Sequence, residues 1–146
     1  MIVLAFILSI VLLLITTLHV YWGIGGIWPG RDAASCARAV VGFRSVDEMP
    51  APFASFAVAA CLGLATLWPM ALEGVFATPF PKAGLAATAL LIALVFLARG
   101  IAGFTPWWRR LTPEQPFARF DVRYYSPLCL LIGLGFAILA ITEFSA

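Results

Sequence analysis

Long apolar stretches alternate with shorter polar connections along the chain. Four stretches, at about residues 2–22, 51–72, 83–104 and 124–142, consist mainly of apolar side chains. Each has close to the roughly 20 residues that a helix needs to cross a hydrocarbon core. Because lipid offers the backbone no hydrogen-bond partners, such stretches must be helical. The pattern predicts an all-α fold, a four-helix transmembrane bundle forming a single domain over residues 1–146.

The composition supports a membrane protein. The chain is 63% hydrophobic and only 11% charged, whereas soluble domains carry about 25% charged residues. The first stretch has no preceding Lys or Arg and no small-residue cleavage site after it, so we interpret it as a retained span rather than a signal peptide. The formal net charge of +2, without a basic stripe, gives no reason to expect a nucleic acid partner.

The cationic residues predict an orientation. The connection between the first and second spans and the connection between the third and fourth hold seven arginines, whereas the turn between the second and third spans holds only Lys82. Positive residues concentrate on the cytoplasmic side of membrane proteins. We therefore expect both long connections in the cytoplasm and both termini outside. The seven arginines are Arg31, Arg38, Arg44, Arg109, Arg110, Arg119 and Arg123.

An offset of 77 residues superposes several glycines and prolines without a gap. The pairs are Gly23 with Gly100, Gly26 with Gly103, Pro29 with Pro106, and Pro50 with Pro127. Glycine and proline occupy their positions for backbone reasons, so these matches favour a parallel tandem repeat over chance in an apolar sequence. The halves would be about residues 1–77 and 78–146, each a helical hairpin, as in transporters with parallel repeats.

Small residues mark the expected helix contacts. The second span carries Ala51, Ser55, Ala59 and Gly63 at four-residue spacing, a pattern that lets helices approach closely. Whether such stripes close one bundle or join two protomers stays open. The connection at residues 31–48 is either a short amphipathic helix or a solvated loop.

Candidate functional residues concentrate at the predicted cytoplasmic edge. Ionisable residues within or near spans are costly and often functional. The candidate ligand-binding residues are His19, Trp22, Arg99, Asp121, Arg123, Tyr124 and Tyr125. We expect them to gather at one edge of the bundle.

Each candidate also has a structural interpretation. Arg99 either pairs with Asp121 or extends its head group to the interface. His19 is either a proton acceptor or a packing residue. Asp121 pairs either with Arg99 or with Arg119 or Arg123, and both tyrosines suit an interfacial aromatic belt. Ser126, directly before Pro127, is expected to cap the fourth helix.

Several kinds of site are not expected. No His, Cys or carboxylate spacing matches a zinc site, and no phosphate-binding loop is present. The odd, scattered set of Cys36, Cys61 and Cys129 argues against a disulfide framework. We expect Cys61 and Cys129 to be buried fillers. No cofactor can be assigned, and no catalytic residue is identified.

Three segments, HVYWGIGG, FLARGIAG and FDVRYYSPLCL, resemble a family of small four-span bacterial membrane proteins catalogued as a domain of unknown function. The resemblance implies a bacterial inner-membrane protein but no activity. It gives weight to the positions that the family shares with this chain. These are His19, Tyr21, Trp22, Gly23, Gly26, Arg99, Asp121, Arg123, Tyr124, Ser126 and Pro127.

Three functions compete. The first is binding or transport of a small amphiphile or lipid-like ligand at the cytoplasmic edge, in a cleft between helices. The second is an accessory subunit of a larger membrane complex, or a homo-oligomer, with the small-residue stripes as docking faces. The third is a small membrane enzyme that uses His19 or Asp121 as an acid–base group.

Overall fold

A computed structural model describes residues 1–144 and shows helices joined by turns and short loops over that range. The apolar stretches form the long helices because a helix pairs its backbone N–H and C=O groups internally, and lipid offers those groups no other partner. The elements are α1 (Ile2–Gly23), α2 (Ala33–Val40), α3 (Pro52–Leu72), α4 (Lys82–Ala102), α5 (Pro106–Leu111), α6 (Phe117–Phe120), a π-helical turn (Asp121–Tyr125) and α7 (Ser126–Phe144).

The expected four spans are confirmed as four helices long and apolar enough to cross a membrane. They are α1, α3, α4 and the continuous helix from Phe117 to Phe144. The fourth begins before its apolar stretch does, because α6, the π turn and α7 stack end to end. The π turn ends two residues before Pro127, a residue that cannot donate the backbone hydrogen bond of a regular helix.

The expected cap at Ser126 is wrong. An N-cap residue has extended backbone angles, whereas Ser126 has φ −66° and ψ −46° in the middle of the helix. Its backbone N–H donates to the carbonyl of Asp121, five residues earlier, which closes the π turn.

The bundle consists of two hairpins, because α1 packs along α3 and α4 packs along α7. Small residues form both seams. A Cβ added at Gly63 would lie 3.6 Å from Thr16 Cγ2, and one added at Gly133 would lie 3.0 Å from the Ala93 carbonyl. The stripe on α3 therefore packs within the chain. Between the hairpins lies a core that includes Leu8, Leu12, Leu85, Phe136 and Leu139.

Both long connections lie at the same end of the bundle, which we call the connection end. The backbone N–H of Ser45 donates to Glu114 Oε1 at 2.9 Å, and that of Arg44 donates to the Leu111 carbonyl at 3.3 Å. At the opposite end, the α-amino group of Met1 lies 3.5 Å from Glu73 and Lys82 lies 2.9 Å from Glu143.

The first long connection contains a helix, α2, over residues 33–40, so the helical interpretation of this connection is correct. Asp32 Oδ1 accepts from the Ser35 N–H at 2.7 Å, and Ser35 Oγ accepts from the Asp32 N–H at 3.1 Å. These reciprocal bonds form a capping box. The hydrogen bond from the Ser35 backbone is the main reason that the pKa of Asp32 is below its ordinary value.

The expected burial of the cysteines is partly wrong. Cys61 is exposed on α3 and Cys129 is half-buried, whereas Cys36 on α2 is buried. Cys61 lies off the α3 face that packs on α1, where lipid can surround an apolar side chain without cost. Burial raises the pKa of the Cys36 thiol, which favours its neutral form.

Candidate functional site

A buried carboxylate organises the connection end. Asp121, the first residue of the π turn, is 0% exposed. Its Oδ1 accepts from Arg99 Nη2 at 2.7 Å and from Ser126 Oγ at 3.0 Å, while its Oδ2 accepts from Trp108 Nε1 at 2.9 Å. Arg109 Nη1 lies 3.8 Å from Oδ2. We call these five residues the polar cluster.

The polar cluster confirms the predicted pair between Arg99 and Asp121. Arg99 Nη1 also donates to Ser126 Oγ at 3.4 Å, and its guanidinium carbon lies 4.7 Å from the centre of the Trp108 ring. The side chain thus turns inward instead of extending to the interface. The expected partners of Asp121 at Arg119 and Arg123 are wrong, since its ion pairs are with Arg99 and Arg109.

Sequence reasoning missed two members of the polar cluster, Trp108 and Arg109. Both lie on α5, in the connection between α4 and α6, and helical periodicity does not show how such a connection folds back. Arg109 is held in place by Nη2, which donates to the Ala118 carbonyl at 2.5 Å. Gly103 lets α4 approach the polar cluster closely, because a Cβ there would collide with Ser126 Oγ and lie 3.0 Å from Asp121 Oδ2.

The polar cluster holds the π turn in shape. The bond between Ser126 Oγ and Asp121 Oδ1 links the residues that bracket the turn, alongside the backbone bond between the same two residues. Arg99 fixes the same carboxylate to α4 and Trp108 fixes it to α5. The π turn is therefore held by three side-chain hydrogen bonds to Asp121, from Ser126, Arg99 and Trp108. π-Helical turns are uncommon and occur often at functional sites.

Beside the π turn lies a cavity of about 400 Å³, the aromatic cavity. It is formed by the end of α1, the loop that follows, the end of α2, the end of α6 and the π turn. Its lining is mostly aromatic and aliphatic, and includes three of the candidate residues: Trp22, Tyr124 and Tyr125. The complete lining is Leu18, Trp22, Trp28, Pro29, Val40, Phe120, Tyr124 and Tyr125.

Hydrogen bonds hold the walls of the aromatic cavity. Trp22 Nε1 donates to the Trp28 carbonyl at 2.7 Å, which ties the loop after α1 back to the helix. Tyr125 Oη donates to the Ala39 carbonyl at 3.2 Å, which ties the π turn to α2. These polar atoms are therefore engaged within the protein, and the surface left to an occupant is apolar.

His19 lies outside both the polar cluster and the aromatic cavity. Its Nδ1 is 2.8 Å from the Ile15 carbonyl, so that nitrogen carries the proton, and its ring meets the edge of Trp22 with centres 5.1 Å apart. Over residues 1–144, no hydrogen bond or ion pair joins His19 to Asp121 or Arg99. His19 therefore packs against Trp22, a residue of the cavity wall.

The seven candidate residues therefore lie at one end of the bundle but not in one pocket. Trp22, Tyr124 and Tyr125 line the aromatic cavity, and Arg99 and Asp121 belong to the polar cluster. His19 packs behind Trp22, and the guanidinium carbon of Arg123 lies 5.7 Å from the centre of the Tyr124 ring. The expectation of a shared edge holds, whereas a single pocket of polar groups is not found among residues 1–144.

A second cavity, of about 390 Å³, lies at the opposite end. The turn between α3 and α4 encloses it, and its lining includes Glu73, Lys82 and Glu143, which are engaged in the ion pairs of that end. None of the candidate residues contributes to it. Within residues 1–144, no group of three or more His, Cys, Asp or Glu side chains is placed to hold a metal ion.

Comparison with known proteins identifies the family. The sequence profile of a family described as a protein of unknown function (DUF3995) matches residues 12–136. Because the match spans most of the chain, this protein belongs to that family. The resemblance drawn from its sequence motifs is thereby confirmed at the level of an unknown-function family. No curated protein and no solved structure matches the chain.

Proposed function

We propose that this member of the DUF3995 family binds the apolar part of a small amphiphile in the aromatic cavity. The observation that carries the proposal is the cavity itself, an aromatic-lined space of about 400 Å³ at the end of a membrane bundle. Ligand pockets occupy about 300–1,000 Å³ and are lined mainly by apolar side chains. A hydrocarbon chain or a small ring system has the chemistry that such a lining accepts.

The location of the cavity suits an amphiphile. Trp22, Trp28, Tyr124 and Tyr125 are amphipathic aromatic residues, the type that concentrates where hydrocarbon meets head groups. Tyr124 and Trp28 are 53% and 60% exposed, so the cavity opens at the surface of the bundle. A tail can enter from the bilayer while its polar head stays at the interface.

The polar cluster has a supporting role in this proposal. Asp121 is fully buried and already accepts three hydrogen bonds, so a ligand cannot reach it without displacing Arg99, Trp108 or Ser126. An acid–base role of Asp121 toward a bound substrate has the same obstacle. Instead the cluster fixes the π turn, and the π turn places Tyr124 and Tyr125 in the cavity wall.

The proposal also includes the orientation of the bundle in the membrane and the internal repeat of two hairpins. The arginines concentrate at the connection end, which supports a cytoplasmic location for that end and an outside location for both termini. A bacterial inner membrane follows from the motif resemblance. The packing of α1 on α3 and of α4 on α7 supports a parallel repeat of two hairpins.

Intact-protein mass spectrometry in mild detergent tests the proposal. We expect one lipid-like molecule bound per chain. Val40→Phe puts a larger side chain into the cavity wall, and we expect it to reduce occupancy about tenfold, as a loss of about 1.4 kcal/mol in binding would. Val95→Phe is the matched control, because Val95 is 61% exposed on α4 and lines neither cavity.

The outcomes separate the competing functions. Equal occupancy in wild type, Val40→Phe and Val95→Phe would mean that the bound molecule lies on the outer surface, against the proposal. Co-purification of a stoichiometric partner subunit without any bound small molecule would favour the accessory-subunit alternative.

A further inference from the structure

We infer that the amphiphile carries an anionic head group and that Arg119 and Arg123 bind it at the mouth of the aromatic cavity. This inference rests on the proposed function, since it concerns the head of the molecule whose tail the cavity would hold. It assigns a ligand class, an acidic head such as a phosphate on an apolar chain.

Both arginines lie against rings that line the cavity. The guanidinium carbon of Arg119 is 5.7 Å from the centre of the Phe120 ring, and that of Arg123 is 5.7 Å from the centre of the Tyr124 ring. The two arginines are about one helical turn apart, on the segment that runs from α6 into the π turn. A cation therefore lies against each of two rings of the cavity wall.

Neither arginine has an acidic partner among residues 1–144, whereas Arg38, Arg99 and Arg109 each form an ion pair. Arg119 and Arg123 are also exposed, so a head group can reach them. A guanidinium matches the geometry of a carboxylate or phosphate and binds it through paired hydrogen bonds. An anionic head would supply the missing counter-charge while the tail fills the cavity.

A general attraction of cationic residues to acidic lipid is the competing explanation, and the chain offers a control for it. Arg44 and Arg110 are also exposed, also lack an acidic partner within the described residues, and lie in the same two connections. Neither contacts a ring of the cavity wall. The double variants Arg119→Gln/Arg123→Gln and Arg44→Gln/Arg110→Gln therefore change the net charge equally but differ at the cavity.

Photolabelling measures how much Arg119 and Arg123 contribute to binding of an anionic head group at the cavity. The protein in phosphatidylcholine nanodiscs is exposed to an alkyl phosphate or to the alcohol of the same chain length, each with a diazirine in the tail, and labelled peptides are mapped. For wild type and Arg44→Gln/Arg110→Gln we expect the phosphate to label residues 18–29 and 120–125 strongly. For Arg119→Gln/Arg123→Gln we expect that labelling to fall about tenfold, to the level given by the alcohol.

A second arm identifies the source of the head group. Phosphatidylglycerol and phosphatidylcholine with the same diazirine chain replace the single-chain probes. Cavity labelling by phosphatidylglycerol supports the inference with a membrane lipid as ligand, and cavity labelling by the alkyl phosphate alone supports it with a free amphiphile.

Three results would overturn the inference. Equal cavity labelling by phosphate and alcohol in wild type would refute the anionic head but leave the proposed tail binding intact. An equal loss of cavity labelling in both double variants would show that general surface charge, and not Arg119 and Arg123 in particular, attracts the phosphate. Labelling confined to other surfaces with every probe would remove the proposed function as well.

Discussion

At the scale of single residues, the main result is that the buried carboxylate at the connection end is paired. Asp121 lies buried between Arg99 and Arg109, with further hydrogen bonds from Trp108 and Ser126. A charge in such surroundings persists only when it is compensated. These residues bind one another at the connection end, and the apolar surface beside them is where we propose that a ligand binds.

Replacing Asp121 tests this structural role. Asp121→Asn leaves Arg99 and Arg109 without their counter-charge, and breaking a buried pair in this way costs about 3–5 kcal/mol. We expect the low end, because the two arginine side chains are 31% and 29% exposed. Denaturant unfolding in detergent, followed by circular dichroism, measures the loss.

Asp47→Asn is the matched control for Asp121→Asn. Its ion pair with Arg38 spans 3.5 Å, and the Asp47 side chain is 77% exposed. Exposed pairs contribute less than about 1 kcal/mol. A loss of stability no larger in Asp121→Asn than in Asp47→Asn would show that the polar cluster does not hold the fold.

The pair between Arg99 and Asp121 could be predicted from the sequence, because two opposite charges at the same depth of a membrane have few other partners. Trp108 and Arg109 could not, since their position depends on how α5 folds back toward α4. Nor could the sequence predict that the aromatic cavity and the polar cluster are separate. Their separation depends on which way each side chain of the π turn faces, and a regular helical period places those side chains wrongly.

At the scale of elements, the four long helices follow from the lengths of the apolar stretches, whereas the π turn does not. A Ser-Pro pair is typical of a helix start, and the sequence therefore predicted one at Ser126. In the structure the helix already runs from Phe117. The backbone carbonyl of Asp121 accepts from the Ser126 N–H, and the Asp121 carboxylate accepts from the Ser126 hydroxyl. Hydrogen bonds within the helix, between residues five positions apart, thus override the signal of the Ser-Pro pair.

The capping box of α2 predicts a pH dependence. The cap stabilises α2 fully above the ordinary pKa of Asp32, 3.8, and this contribution is lost as the pH falls through the lower pKa of the folded state. We expect the protection of the Ser35 amide, measured by hydrogen exchange, to decline in that acidic range. Asp32→Asn keeps an accepting oxygen and should show no such decline; the same decline in this variant would contradict the assignment.

At the scale of the whole molecule, two hairpins place both arginine-rich connections at one end. The backbone bonds between Arg44 and Leu111, and between Glu114 and Gly42, join these connections directly. The asymmetry of charge between the two ends is the basis of the proposed orientation in the membrane. The hairpins could be predicted from the order of the spans, whereas the contact between their connections required the structure.

Cysteine accessibility tests that orientation. In a background with Cys36, Cys61 and Cys129 replaced by alanine, single cysteines are introduced as Arg44→Cys, Gln115→Cys or Ala77→Cys. In intact cells we expect a membrane-impermeant maleimide to label only the Ala77→Cys protein, and in inverted vesicles only the other two. Labelling of the Arg44→Cys and Gln115→Cys proteins from opposite sides would contradict the arrangement of the hairpins.

The most direct test of ligand binding is to locate a tail in the aromatic cavity. A crystal structure of the protein with an alkyl phosphate brominated in its tail gives the bromine position by anomalous scattering. We predict a bromine peak within the space lined by Trp22, Val40, Phe120 and Tyr125. Bromine peaks confined to the outer, lipid-facing surfaces of the helices, with that space empty or filled by side chains, would contradict the account.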